Sequence, residues 1–356
     1  MTMSMKHTTT NLNDIFIILI ENIQTKTKQN LTLKQLLILR ETNKKIKENS
    51  DNIKPFAEAK YIYSHSNHHR NYHRTFTKIA IKHIFKSYNM FKLFNIISLD
   101  IFHDDEDPDY DGPLYTKYIN SIIGLINNNK HLIHIKFVGL LFEYHFERFA
   151  KLLTQLPFLS TLKLKSCIEK FEQIKILTNV LPQCKVLSHL KLSRCDFKSE
   201  HIEDFTRILP LCTNLTNLNL SGNSMGSYSM RSYELKRIAE IIPLCTNLTS
   251  LDLSDNSGKF VCTLEGIPPW STSLVHINLS TNGIGRLGQV FSQCSSLTSL
   301  DLSYNDIEET EDLQKVFEQC TKLVTLDLRE NPIDDKEKIS LSRALSQYTS
   351  LRKLNI

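Results

Sequence analysis

One short phrase, L-x-x-L-x-L-x-x-N, recurs along most of this chain and restricts its possible folds more than any other feature. It is cleanest from Leu248 to Asn256 (LTSLDLSDN) and from Leu297 to Asn305 (LTSLDLSYN). It restarts at Leu132, Leu159, Leu187, Leu215, Leu248, Leu274, Leu297, Leu323 and Leu351, at intervals of 27, 28, 28, 33, 26, 23, 26 and 28 residues. A weaker copy starts at Ile96. The alternating leucines describe a short strand with one apolar face, and the asparagine amide can satisfy backbone groups left open at a turn. Intervals of this size leave room for a helix of about two to three turns, as in Leu313 to Cys320 (LQKVFEQC). Each unit is therefore expected to be one strand plus one helix. No unit can bury its apolar face alone, so neighbours must stack into an α/β solenoid with a parallel sheet on its concave side and helices on its convex side.

The pattern resembles the leucine-rich repeats of the ribonuclease-inhibitor type. Relatives by pattern are that inhibitor, the GTPase-activating protein for Ran, the F-box leucine-rich-repeat receptors, and leucine-rich-repeat effectors that intracellular bacteria deliver into host cells. The resemblance implies a horseshoe that binds a protein partner without catalysis.

The net charge of +5 hides an asymmetry. Residues 1–95 hold 16 lysines and arginines against 6 acids, an excess of ten, which leaves the repeats net negative by five. Five of the eight cysteines, Cys184, Cys212, Cys245, Cys294 and Cys320, stand three residues before a repeat-opening leucine. Cys167 and Cys195 take the asparagine position. Architecture thus accounts for all but Cys262, there is no C-x-x-C pair, and reduced thiols in a cytoplasmic setting are expected. The apolar run Ile15–Ile20 is too short for a signal or a membrane span.

The chain divides into residues 1–55, an F-box-like or capping helical segment; 56–95, a basic linker or cap helix; and 96–356, the repeats. The first segment resembles a degenerate F-box. Leu12-Asn13-Asp14-Ile15 stands for the family's Leu-Pro-x-Glu opening, Leu19 continues the first helix, and Leu36, Leu37, Leu39 and Lys44 match the second half. The family's proline is missing at position 13 and its tryptophan at 46. The resemblance implies that these residues dock a ubiquitin-ligase adaptor.

Other motifs imitate chemistry without completing it. Asp107, Asp109, Asp111 and Gly112 begin a calcium loop, but Tyr118 stands where a bidentate glutamate is needed. His65, His69 and His73 have helical metal-ligand spacing with no further ligand. Gly283, Gly285 and Gly288 spell a dinucleotide fingerprint after a strand and before an expected helix, within a unit too small for a Rossmann sheet. No cofactor, metal or catalytic residue is expected, and nucleic acid is not an expected partner.

The working surface is expected on the concave sheet. Residues between the second and third apolar positions form a ladder: Asp100, Lys136, Lys163, Lys191, Asn219, Asp252, Asn278, Asp301, Asp327, Asn355. Charge is sorted along it. His134, Lys165, His189 and Arg194 reinforce the basic stretch, Asp255 and Glu330 the acidic one, and Tyr304 and Phe102 are the nearest large anchors. Strands about 4.8 Å apart would stack Lys136, Lys163 and Lys191 as neighbouring like charges, a cost that an acidic partner would relieve.

Overall fold

The computed structural model describes residues 56–60, 95–102, 113–195, 197, 199–223, 233–256, 262–345, 348 and 350–356. The F-box-like positions Leu12, Ile15, Leu19, Leu36, Leu37, Leu39 and Lys44, the histidines 65, 69 and 73, and the calcium-loop carboxylates lie outside them. The chain forms two compact units, residues 1–134 and 135–356.

In the first unit, β1 (Phe56–Lys60) pairs in parallel with β2 (Asn95–Phe102), with a bulge between Ala57 and Glu58. A linker or cap helix was expected over 56–95. Its first five residues, 56–60, form a strand that gives one edge of β2 backbone partners, which an exposed edge would lack, and residues 61–94 lie outside the described residues. β2 coincides with the weak repeat copy, and its Leu99 and Ile101 are buried. Helix α1 (Pro113–Asn128) buries Ile119, Ile122, Ile123 and Ile126, the spacing of one helical face. Asn129 closes it by donating Nδ2 to the Leu125 carbonyl at 2.6 Å.

The second unit is a parallel-stranded solenoid, as the repeat predicts. Its sheet runs β3 (His134–Val138), β4 (Thr161–Lys165), β5 (His189–Ser193), β6 (Asn217–Asn219), β7 (Ser250–Asp252), β9 (His276–Asn278), β11 (Ser299–Asp301), β12 (Thr325–Asp327) and β13 (Lys353–Asn355). From β4 to β13 the strands are in register, with Leu162, Leu190, Leu218, Leu251, Ile277, Leu300, Leu326 and Leu354 side by side. Between strands stand α2 (Phe146–Leu153), α3 (Phe171–Val180), α4 (Ser199–Ile208), α5 (Tyr233–Ile241), α6 (Glu311–Gln319) and α7 (Asp335–Leu345). Helices α2 to α5 pack in chain order, and the core lies between them and the sheet.

Two units depart from the expected strand-plus-helix plan. After β7 and β9 the connections hold short strands, β8 (Cys262–Thr263) and β10 (Ile284–Arg286), paired with each other in parallel. The helix expected after the Gly283–Gly288 motif is a run of turns. The sequence explains both. Pro268-Pro269 cannot enter a helix interior, and the 23-residue interval is the shortest of the set. Gly288 has φ +59°, and a Cβ there would meet the Glu265 Cα at 2.9 Å. Trp270 fills the space a helix would occupy: it is fully buried, donates Nε1 to the Ala239 carbonyl at 3.0 Å, and meets Phe291 edge-on.

The repeat asparagine does what its position implies. Asn282 donates Nδ2 to the Leu253 and Leu279 carbonyls at 2.8 and 2.9 Å, and its Oδ1 accepts the Asn256 N–H at 3.0 Å. Asn223, Asn256 and Asn305 repeat the pattern, so one amide ties each repeat to its neighbour. Cys195, in the same position, donates weakly from Sγ to the Leu164 carbonyl at 3.5 Å. Cys184, Cys212, Cys245 and Cys320 sit at helix ends as expected, unbridged, and burial pushes Cys184, Cys245 and Cys320 up to about 12 and Cys212 to about 11. A thiol held protonated is no nucleophile at neutral pH.

Candidate functional site

The solvent face of the sheet carries the ladder read from the sequence. Lys163 pairs in register with Lys191, Lys191 with Asn219, Asn219 with Asp252, Asp252 with Asn278, Asn278 with Asp301, Asp301 with Asp327, and Asp327 with Asn355. Lys136 takes the same place on β3, next to β4 in the sheet. One residue column is thus lysine at one end and asparagine or aspartate at the other.

The two ends use this column differently. From β6 onward the side chain folds back on its own strand. Oδ1 of Asp252 accepts the Ser254 N–H at 3.1 Å and its hydroxyl at 2.7 Å, and Asp301 does the same with Ser303 at 3.0 and 2.7 Å. Asn219 and Asn278 make the equivalent turn with Ser221 and Ser280. Drawing off that N–H ends the strand, so β6, β7, β9, β11 and β12 are three residues long. Lysine has no acceptor, and β3, β4 and β5 run to five residues. The serine two positions after Asn219, Asp252, Asn278 and Asp301 was the sequence signal for this turn.

The acidic end is largely matched within the chain. Asn219 donates to Asp252, and Asn355 donates to Asp327 at 2.8 Å. Arg329 grips Asp327 through Nε at 3.0 and 3.1 Å and Nη2 at 2.7 Å. Burial pushes the Asp327 carboxyl up, but hydrogen bonds from Arg329 and Asn355 outweigh it and hold it below the usual carboxylate range.

Three lysines at the basic end differ. Lys163, Lys165 and Lys191 have neither an ion pair nor a side-chain hydrogen bond among the described residues. Lys191 is held below the usual lysine range, first by desolvation and then by repulsion from Lys165, Lys163 and Lys136, with Asp252 pulling the other way. His134 and His189 lie exposed on the same face, and the His189 Nδ1 stands 2.8 Å from the Ser188 hydroxyl.

A second column follows the strands. The residue before each asparagine or cysteine position has positive φ: Ser166 (51°), Arg194 (52°), Gly222 (70°), Asp255 (56°), Thr281 (57°), Tyr304 (55°) and Glu330 (56°). Each of the first six donates its N–H to the next repeat, as from Arg194 to the Ser221 carbonyl at 3.0 Å. Only one of the seven is glycine, so the backbone bond is kept against steric cost. Arg194, Asp255 and Tyr304, expected beside the ladder, are exposed here, and Tyr304 is 57% exposed. A Cβ at Gly222 would meet the Arg194 Cγ at 2.9 Å; glycine gives the arginine room to lie across it. The side chain of Phe102, the other expected anchor, lies outside the described residues.

Among the described residues no helix is long and apolar enough to cross a membrane, and no cluster of three or more His, Cys, Asp or Glu could hold a metal. Three stretches, 244–257, 293–309 and 319–336, match the Leucine Rich repeat family. No curated protein matches the chain in sequence. Among solved structures it is similar to the crystal structure of a TLR13–ssRNA13 complex, at 20% identity and TM-score 0.44, over 76% of this chain and 41% of that one. The chain therefore spans about two fifths of the length of that structure's chain.

Proposed function

We propose that the chain is a non-enzymatic interaction protein that captures a protein partner on the solvent face of its leucine-rich-repeat sheet. The supporting observation is the row of lysines 136, 163 and 191, kept side by side with no ion pair to 163 or 191 among the described residues. Like charges stacked at strand spacing cost free energy in the unbound protein, and an anionic stretch on a partner relieves it while steering orientation. His134, Lys165, His189 and Arg194 extend the basic region; Asn219, Asn278, Asp252, Asp255, Asp301, Tyr304 and Asp327 continue the face at the other end. Because the Asp252 and Asp327 carboxylates already have hydrogen-bond donors within the chain, the basic end is assigned the larger share of affinity.

Affinity capture from eukaryotic lysate with the full chain tests this. Lys163→Glu with Lys191→Glu should abolish recovery of the partner while leaving the melting temperature unchanged; undiminished recovery would sink the reading.

A second reading, carried by the Leu12–Ile46 motif alone, makes the protein a substrate receptor of a ubiquitin ligase. Leu36→Glu with Leu37→Glu should then lose adaptor and cullin but keep the solenoid's own partner. The resemblance to bacterial effectors would place this activity in a host cytosol. A Ran-type activator would instead speed turnover by a GTPase, which the same purified chain can be assayed for.

A further inference from the structure

Ser193 is 3% exposed, and its hydroxyl has no hydrogen-bond partner among the described residues. Its counterparts are satisfied: the hydroxyls of Ser221, Ser254 and Ser303 donate to Asn219, Asp252 and Asp301. The difference lies two residues earlier, where Lys191 replaces the acceptor. Lysine at 191 therefore forgoes a turn that five later strands make, orphans a buried hydroxyl, and adds a like charge beside Lys163. Nothing in the fold needs it, since asparagine or aspartate fills the same position from β6 onward.

We propose that Lys163, Lys165 and Lys191, flanked by Lys136, form a subsite for a phosphate-type dianion, presented by the protein partner as a phosphorylated serine or threonine. The inference rests on the sheet face being the partner-binding face. Lys163 and Lys191 are register neighbours, as are Lys165 and Ser193, so the three ammonium groups rise from two adjacent strands about 4.8 Å apart. A single carboxylate would leave most of that charge unanswered. A phosphate monoester brings a charge near −2 and three strong acceptor oxygens, enough for each lysine to donate to one.

The probe is inorganic phosphate, followed by ³¹P line width in the presence of the full chain at about pH 7.5, where it is mostly dianionic. Ionic strength is held with chloride, and melting curves are recorded in parallel. The wild-type chain should broaden the line, and Lys163→Gln or Lys191→Gln should weaken binding about tenfold. Lys185→Gln, whose ammonium donates to the Pro182 carbonyl at 2.9 Å away from the sheet, should not. Lys191→Asp should raise the melting temperature, by giving Ser193 its acceptor, and abolish the broadening. Unchanged broadening in Lys191→Asp, or a lowered melting temperature, overturns the proposal. So does displacement of phosphate by acetate at equal concentration, which would mean bulk charge only. If phosphate fails to bind yet the Lys163/Lys191 reversal still abolishes partner capture, the subsite is wrong and the binding face stands; phosphate binding with capture unaffected means the opposite.

Discussion

The repeats from β6 onward and those from β3 to β5 solve one construction problem in two ways. Both stack parallel strands over leucines in register, and both carry an αL residue that donates its N–H to the next repeat. The later repeats add an asparagine bridge and, from Asn219 to Asp327, an Asx turn on the rung. The earlier ones replace asparagine with Cys167 and Cys195 and the turn-forming rung with lysine. The difference teaches that stacking is set by the leucines, whereas the polar groups of the repeat can be surrendered locally, and they are surrendered where the surface charge concentrates.

The largest test of this contrast is at the bridging position. Asn282→Ala would leave the Asn256 N–H and the Leu253 and Leu279 carbonyls without that partner in a buried setting. The two carbonyls keep the Asn256 and Asn305 amides as donors, so the Asn256 N–H is the group left orphaned, and with the lost carbonyl bonds the cost should be about 2 kcal/mol or larger. Cys195→Ala removes only weak sulfur contacts to the Leu164 and Ser193 carbonyls and a small buried volume, and should cost about 1 kcal/mol. Denaturant melts of the two variants compare them directly; equal losses would erase the distinction between the halves.

Their pH responses should diverge as well. Asp327 is held below its ordinary value, as is Glu337, through hydrogen bonds from the Thr310 hydroxyl and N–H. A depressed carboxylate contributes stability that is present above its unfolded pKa and lost as pH falls through the lower folded value. Acid should therefore weaken the last repeats first, below about pH 4. Lys191 has the opposite window. Its folded pKa is lowered, so its penalty is complete below that value and is relieved as pH rises toward 10.5, making the basic half relatively more stable there. Hydrogen exchange across the two halves at pH 3.5, 7 and 10 follows both trends, and parallel behaviour would break the comparison.

Much of this was legible in the residues. The solenoid, the strand positions, the ladder order and the role of asparagine all follow from spacing, because leucine burial at fixed intervals leaves few alternatives. The sorted charge was visible too. What spacing could not show was that aspartate in the ladder is partly a strand terminator, since that depends on where its Oδ1 and the serine two residues on meet. Likewise, the helix-free connections around Trp270 depended on a close approach between the Gly288 and Glu265 backbones that no period reveals.

The smallest expected effect on stability tests whether the acidic end is closed by choice of neighbour. Arg329 is an exposed side chain clasping Asp327 on the rung after which the strand ends. Exposed pairs contribute little because water screens them and two side chains must be ordered. Arg329→Ala should barely move the melting temperature, yet it strips the Asp327 carboxylate of its cation and leaves Asn355 as its side-chain donor. The Asp327 carboxyl should then titrate closer to its ordinary value, which NMR of the side-chain carbon would follow. If partner capture depends on the basic lysines alone, this variant should bind as the wild type does; a changed affinity would show that the acidic rungs also meet the partner once unmasked.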